Sequence, residues 1–230
     1  MSINGYDKWI RALQHTIEWR SVSGRRQSTR RWVDRQRRDV YVRQAHEKGY
    51  RSRAVFKLIE LDRRNCLFRT GQCVVDLGAA PGGWSQYAAE RVGGSGMVVA
   101  VDLTPMDPIP GVEMVEVDIT QTGSGELIRR GLRDRKVDLV ISDMAPRMSG
   151  VVSRDQALAL ELAEAALRVA ASLLAHGGTL LVKVFEGETT PAFRQQVRER
   201  FERHVSRKPT ASRSESRERY VIATNPLAGA

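Results

Sequence analysis

From residue 73 onward, short apolar runs alternate with longer amphipathic segments. The runs are rich in Val, Ile and Leu and are bounded by Gly, Pro or Asp, which is typical of buried strands, whereas the segments between them carry apolar residues at helical spacing. The predicted strands are 73–77, 97–102, 113–118, 137–142, 178–185, 204–208 and 219–224. The predicted helices are 84–91, 124–133, 153–175 and 191–203. This alternation indicates βαβ units.

Units of this kind predict an α/β fold, with a mostly parallel seven-stranded sheet and helices on both faces. The last two strands follow each other with only a loop between them, so we expect one of the seven to run antiparallel. Ligands of such sheets bind beyond the carboxyl ends of the strands. Residues at those ends are therefore the candidates for a ligand-binding or catalytic site.

Ahead of residue 73 the pattern changes. Residues 5–20 place Trp9, Leu13 and Ile17 on one face of a short helix, and residues 21–39 are polar, basic and expected to be flexible until bound. A further helix opens near Ser52 and continues through Leu61. We expect three parts: a basic, partly flexible extension over 1–48, a folded domain over 49–226 and a tail over 227–230.

Composition excludes several classes of protein. The chain has 230 residues, 41% of them hydrophobic and 28% charged, as in one globular domain with an appendage. No apolar run approaches the roughly 20 residues that cross a bilayer, and residues 1–8 lack the apolar core of a secretory signal, so we expect a cytoplasmic protein with no membrane partner. Cys66 and Cys73 lack the spacing of a zinc site and the four His are scattered, so we expect no metal.

The charge is unevenly distributed along the chain. Residues 1–57 hold 15 Lys and Arg against 5 Asp and Glu, residues 58–193 hold 13 against 18, and residues 194–230 hold 9 against 4. A charged run is often only a solvated surface. Two basic ends in which Arg predominates nevertheless favour a polyanion as partner, because the guanidinium group makes bidentate contacts with phosphate.

A glycine-rich loop, Gly78-Ala79-Ala80-Pro81-Gly82-Gly83, joins the strand 73–77 to the helix 84–91. Glycine lets the backbone approach a ligand closely, and the start of the helix offers free N–H groups. The arrangement is typical of a nucleotide-type cofactor site, although glycine-rich turns also occur for packing alone.

Acidic residues at three further strand ends add weight to the cofactor interpretation. Asp102 ends the second strand, 24 residues after Gly78, where one carboxylate can accept from both hydroxyls of a ribose. Asp118 ends the third strand, where an adenine amino group can donate to it, and Asp143 ends the fourth. A single acid would often be only a helix cap. The loop and acids together resemble class I S-adenosylmethionine methyltransferases more than NAD dehydrogenases.

Lys183 lies inside an apolar strand, Leu180-Leu181-Val182-Lys183-Val184-Phe185. A buried lysine is costly unless it is paired, so such a residue usually has a task, the alternative being that its amine reaches the surface.

Six segments together resemble the FtsJ/RrmJ-type ribosomal RNA ribose 2′-O-methyltransferases: 50–58, 75–87, 102–108, 142–150, 183–188 and 208–223. The resemblance covers residues 20–225 and implies a Rossmann-like class I methyltransferase fold. It also implies a catalytic tetrad of Lys57, Asp143, Lys183 and Glu218. The implied cofactor contacts are Gly78, Gly82, Gly83, Trp84, Asp102, Asp118 and Asp143. The arginines expected to bind RNA are Arg30, Arg31, Arg51, Arg53, Arg213 and Arg217.

The resemblance further implies an activity: methyl transfer from S-adenosylmethionine to the ribose 2′-OH of a uridine in 23S rRNA, within the large ribosomal subunit and late in its assembly, by a monomeric enzyme. The tetrad suits that reaction, because a ribose hydroxyl is a weak acid and a desolvated Lys183 can accept or steer its proton. Alternatives are the same chemistry on mitochondrial rRNA, a tRNA anticodon loop or a capped RNA, a non-catalytic RNA-binding assembly factor, and, least favoured, a dehydrogenase.

Overall fold

The computed structural model describes residues 40–227, which divide into a unit ending at Arg53 and a unit beginning at Ala54. The predicted helix over 5–20, the predicted flexible stretch 21–39, with Arg30 and Arg31, and the last three residues of the tail lie outside the described residues. The first unit contains helix α1, Val40–Glu47. The Tyr50 backbone N–H donates to the carbonyl of Ala45, and the Arg53 guanidinium lies over the Tyr41 ring.

The second unit contains seven strands and five helices within the described range. The strands are β1 Cys73–Leu77, β2 Met97–Asp102, β3 Val112–Glu116, β4 Val137–Ser142, β5 Leu174–Phe185, β6 Phe201–Arg207 and β7 Glu218–Pro226. The helices are α2 Val55–Asn65, α3 Gly83–Val92, α4 Ser124–Gly131, α5 Val152–Leu173 and α6 Thr190–Arg198.

The strands form one sheet in the order β3-β2-β1-β4-β5-β7-β6. Neighbours from β3 to β5 are parallel, while β7 is antiparallel to both β5 and β6. The predicted fold class is confirmed, including the single antiparallel strand. Helix α3 packs on β1 and β2, α4 on β2 and β3, α5 on β4 and β5, and α6 on β6.

Several predicted boundaries were wrong, and the two largest errors are at the end of α6 and at the start of β5. The helix expected to continue to residue 203 ends at Arg198, because Phe201 is buried in the core and pairs with Pro226 as the first residue of β6. Strand β5 begins at Leu174 rather than at 178. Leu174 already pairs with Val137, and an irregularity precedes the regular register that resumes at Leu139 and Thr179.

The β-branched composition of β1 and β2 follows from their burial. All five residues of β1 are buried, and so are the four central residues of β2. A central parallel strand is covered on both faces, so its sequence is nearly all apolar rather than alternating, and Asp76 is the exception in β1. Within the described residues, none of the helices is long and apolar enough to cross a membrane.

Candidate active site

Four charged side chains from four different elements meet at the carboxyl edge of the sheet. Lys183 Nζ lies 2.9 Å from Asp143 Oδ1, and Lys57 Nζ lies 2.8 Å from Glu218 Oε1. Lys57 Nζ is also 3.9 Å from Asp143 Oδ2. The structure therefore brings together all four residues of the tetrad predicted from the sequence.

Strand register explains how these residues meet. Ser142 pairs with Val182 across the parallel β4–β5 ladder, so Asp143, the next residue after β4, comes beside Lys183. Lys183 pairs with Tyr220 across the antiparallel β5–β7 ladder. Glu218 lies two residues before Tyr220 and therefore on the same face of the sheet. Lys57 reaches the cluster from α2.

The cluster is well shielded from water. The exposed fractions of the side chains are 6% for Lys183, 9% for Glu218, 12% for Lys57 and 17% for Asp143. Burial alone would raise the pKa of the Asp143 carboxyl. The charges of Lys183 and Lys57 and the hydrogen bond from Tyr220 outweigh burial and hold that pKa below its ordinary value. Asp143 is therefore an anion placed between two cations.

Tyr220 is a member of the cluster that sequence reasoning did not identify. Its hydroxyl donates to Asp143 Oδ1 at 2.6 Å, and the residue is fully buried. The Lys57 ammonium lies 5.9 Å from the centre of its ring, and the Trp84 ring lies 5.9 Å away. The available signal was the alternation of β7, which places Tyr220 on the same face as Glu218.

The glycine loop turns tightly beyond β1. The backbone N–H groups of Gly78 and Ala79 both donate to the carbonyl of Val101, at 2.8 and 3.0 Å. Gly78 has φ +73°, and a Cβ atom on it would lie 2.1 Å from Cγ of Met144. Both the conformation and the contact therefore require glycine at position 78.

A cavity of about 300 Å³ opens beside this loop, at the low end of the volumes typical of small-molecule sites. It lies at the carboxyl ends of β1, β2 and β4, where an open parallel sheet binds its ligands. Its lining residues are Gly78, Ala80, Val101, Asp102, Leu103, Val117, Asp118, Ile119, Asp143, Met144, Ala145 and Leu162. Apolar walls with a few carboxylates suit a ligand that has a flat ring and several polar groups.

Two of these carboxylates are held in place by short hydrogen bonds. Asp102 Oδ2 accepts from the Ala80 N–H at 2.9 Å, which ties the glycine loop to the end of β2, and Oδ1 accepts from the Thr104 N–H at 2.7 Å. Asp118 Oδ1 accepts from both the N–H and the hydroxyl of Thr120. These bonds to Thr120 lower the pKa of Asp118. Asp118 is therefore expected to stay ionised at the cavity wall. Strand β3 ends at Glu116, two residues earlier than predicted, so Asp118 lies just beyond the strand rather than at its last position.

The other predicted site residues have different positions. Gly82, Gly83 and Trp84 are not among the residues that line the cavity. The Trp84 indole N–H donates to the carbonyl of Ala54 at 2.9 Å, and the centre of its ring lies 5.9 Å from the centre of the Tyr220 ring. A cofactor contact for these three residues stays a prediction.

The predicted RNA-binding arginines are spread over the chain. Arg213 and Arg217 lie in the segment 208–217 between β6 and β7, the first half-buried and the second exposed. Arg51 and Arg53 belong to the first unit and are half-buried. RNA binding by these arginines stays a prediction.

Asp76 is a buried acid that sequence reasoning also passed over. It lies in the middle of the sheet on β1, is 1% exposed and accepts a hydrogen bond from the Ser85 hydroxyl at 2.6 Å. Burial, together with the nearby charges of Asp143 and Asp102, raises its pKa from 3.8 to about 7 although the Ser85 bond opposes the rise. An ionisable residue inside an apolar strand is the same signal that identified Lys183.

The raised pKa of Asp76 predicts a pH dependence of stability. Between about pH 4 and 7 the folded chain keeps a proton on Asp76 that the unfolded chain has lost. The free energy of unfolding contributed by this group therefore falls as pH rises through that range, by at most about 1.4 kcal/mol per pH unit, and is constant above it. Asp76→Asn, which cannot ionise, is expected to remove this component.

The measurement is urea unfolding of wild type and Asp76→Asn from pH 4 to 9. A constant offset reflects the new buried amide and carries no information about ionisation. The expected result is a difference, variant minus wild type, that grows up to about pH 7 and is flat above it. A difference that does not change with pH would show that Asp76 has an ordinary pKa.

Residues 50–226 match the family described as FtsJ-like methyltransferase. The chain is 48% identical over 199 residues to the ribosomal RNA large subunit methyltransferase E of Alkalilimnicola ehrlichii, covering 86% of this chain and 95% of that one. It is 51% identical to the protein of the same name from Halorhodospira halophila, covering 82% and 89%. A crystal structure of a Plasmodium falciparum protein described as a ribosomal RNA methyltransferase is similar with a TM-score of 0.70 at 29% identity, covering 77% and 99%.

Proposed function

Since this chain belongs to the FtsJ-like methyltransferase family, we propose that it transfers a methyl group from S-adenosylmethionine to a ribose 2′-OH of ribosomal RNA in the large subunit. The family predicted from the sequence is confirmed, and the chain is a methyltransferase. The name shared by its relatives, ribosomal RNA large subunit methyltransferase E, supports the substrate. A uridine of 23S rRNA, methylated late in subunit assembly, is the acceptor that the proposal specifies.

One observation carries the proposal: Asp143 belongs to both halves of the site. It lines the cavity beside the glycine loop, and its carboxylate binds Lys183 and lies near Lys57. A methyl donor in the cavity and an acceptor hydroxyl at the lysines would therefore meet at the same carboxylate. Such alignment supplies much of the acceleration in a displacement reaction.

The cavity suits S-adenosylmethionine. Its apolar walls, which include Val101, Val117 and Ile119, fit a purine ring. Asp102 and Asp118 stand at the same wall and can accept from ribose hydroxyls and from an adenine amino group. When bound, the cofactor supplies an electrophilic methyl group carried on a sulfonium.

The protein's own groups act on the acceptor. Lys183 is held by the Asp143 carboxylate and also donates to the Asp143 backbone carbonyl, so its Nζ has a defined position for orienting the ribose hydroxyl, and only as a neutral amine could it accept the proton of that hydroxyl. The Glu218 carboxylate holds the Lys57 ammonium at 2.8 Å. Because the cluster is shielded from water, each of these charged contacts is stronger than it would be at the surface.

An RNA partner is supported by the charge pattern. The basic ends of the chain carry net charges of +10 over residues 1–57 and +5 over 194–230. We propose that residues 1–48 form an RNA-binding extension to the methyltransferase domain over 49–226. The proposal also places the enzyme in the cytoplasm as a monomer.

The test offers labelled S-adenosylmethionine with naked rRNA, isolated large subunits, tRNA and capped RNA. The expected result is label in the rRNA of one of the first two substrates, at the ribose of a single uridine. Label in tRNA or capped RNA alone would support the same chemistry on another RNA. Label on a base would refute the assignment of the 2′-OH, and no transfer to any RNA would favour a non-catalytic assembly factor.

A further inference from the structure

We propose that Glu60 is a positioning residue that fastens the segment 208–217, hereafter the β6–β7 segment, onto helix α2. This inference rests on the proposed function, since it concerns how the enzyme presents its RNA side. Nothing in the sequence pattern indicated a role for Glu60, which lies in the amphipathic run of α2 like an ordinary surface glutamate.

The Glu60 carboxylate makes four polar contacts. Its Oε2 accepts from the Thr210 N–H and the Thr210 hydroxyl, both at 2.7 Å, and from the Ala211 N–H at 3.4 Å. Its Oε1 lies 2.8 Å from Arg64. The Glu60 side chain is only 16% exposed. Charge-assisted bonds to two successive backbone groups fix the backbone itself, not only a side chain.

Glu60 lies three residues after Lys57 on the same helix, so the two side chains share one face of α2. Lys57 binds Glu218, the residue directly after the β6–β7 segment. Helix α2 therefore binds the chain at both ends of that segment, through Glu60 at Thr210 and through Lys57 at Glu218. A shift of the backbone at Thr210 would therefore displace the chain that leads to Glu218.

Bonds inside the β6–β7 segment transmit such movement. Lys208 Nζ donates to the carbonyl of Ser216 at 2.9 Å and closes the segment on itself. The Ser216 hydroxyl accepts from the Glu218 N–H at 3.1 Å, and the Ser216 N–H donates to the backbone carbonyl of Arg213 at 3.0 Å. The segment has no regular secondary structure of its own, so these bonds, the bond from the Glu186 N–H to the Arg217 carbonyl and the contacts of Glu60 together determine its shape.

The length of the segment indicates a function beyond connection. Antiparallel neighbours are usually joined by two to five residues, and longer connections are commonly binding loops. This one carries Arg213 and Arg217 and leads directly into Glu218 of the tetrad. Glu60 thus helps to set where these arginines are presented, and it steadies the segment that leads into Glu218, whose own position is fixed by its pairing with Phe185 in β5.

The test compares Glu60→Ala with Glu60→Gln and with Arg64→Ala. Glu60→Ala is expected to raise the KM for rRNA or large subunits about tenfold and to lower kcat severalfold, with the Kd for S-adenosylmethionine unchanged. Glu60→Gln keeps an oxygen that can accept from Thr210 and Ala211, so it should restore most of the activity. Arg64→Ala removes the other partner of Glu60 and should behave as wild type.

Amide hydrogen exchange over 209–218 supplies a readout that needs no substrate. Exchange there should be at least about tenfold faster in Glu60→Ala, with exchange in β1 and β4 unchanged. Unchanged exchange in the segment, or faster exchange with RNA kinetics within twofold of wild type, would overturn the inference. If wild type methylates no RNA, the proposed function fails, while exchange still decides whether Glu60 holds the segment.

Discussion

Lys183→Ala is expected to lower methyl transfer by at least about a thousandfold while leaving the binding of S-adenosylmethionine within a few fold of wild type. The Lys183 ammonium is the one that contacts Asp143 directly, at 2.9 Å, and it is not among the residues that line the cavity. Removal of a positioned proton-transfer or orienting group typically costs 10²–10⁴ in rate. Single-turnover transfer of label and calorimetric cofactor binding measure the two effects separately.

Lys136→Ala serves as the matched control, because Lys136 is an exposed lysine that precedes β4. It should transfer methyl groups at the wild-type rate. Turnover retained in Lys183→Ala would remove Lys183 from the centre of the mechanism. Loss of cofactor binding together with turnover would mean that Lys183 maintains the cavity rather than the acceptor side.

Lys183→Arg distinguishes two roles for the amine. Arginine keeps the positive charge but is not deprotonated in proteins. If Lys183 only orients the hydroxyl, the arginine variant should retain part of the activity. If Lys183 accepts the proton, Lys183→Arg should be as inactive as Lys183→Ala.

Much of this site could be predicted from the sequence because its residues follow strand ends. Asp102 is the last residue of β2 and Asp143 directly follows β4, and the carboxyl ends of parallel strands share one edge. Lys183 was conspicuous because a charge is rare in an apolar run. Lys57 and Glu218, by contrast, came from the resemblance to a family, since neither position is distinctive by itself.

The roles of Tyr220 and Glu60 were not predicted, and the reasons are physical. A tyrosine in a strand is ordinary, and only the β5–β7 register shows that its hydroxyl meets Asp143. Glu60 binds Thr210 and Ala211, 150 residues further along the chain. Contacts at that separation depend on how helix α2 packs, which a local pattern does not encode.

The end of α6 shows the opposite failure, in which a local pattern was strong and tertiary packing overrode it. Residues 191–203 have helical spacing throughout, yet the helix stops at Arg198 because Phe201 is buried as the first residue of β6. Burial of a phenylalanine contributes more than the helix propensity of a few polar residues. This edge strand in turn supports β7, which carries Tyr220 and Glu218.

Asp143→Asn is expected to impair both stability and catalysis. The carboxylate lies between Lys183 and Lys57, and the amide that replaces it leaves Lys183 without the counter-charge 2.9 Å away. Loss of one partner from a buried ion pair typically costs about 3–5 kcal/mol of unfolding free energy. Activity should fall at least as far as in Lys183→Ala, because Asp143 also lines the cavity. Urea unfolding and single-turnover transfer measure the two effects.

The pairing itself is tested by the double variant Asp143→Asn with Lys183→Met. Removing the uncompensated ammonium should restore part of the stability lost in Asp143→Asn, while activity stays absent, so the two changes are non-additive in unfolding free energy.

The pH dependence of the unfolding free energy offers a second check. Because the folded pKa of Asp143 is lowered, its stabilising contribution is complete above about pH 4 and is lost as pH falls further. Asp143→Asn should lack that acid-side loss. Additive stabilities, or an unchanged acid limb, would mean that Asp143 is not the counter-ion that holds the lysines in place.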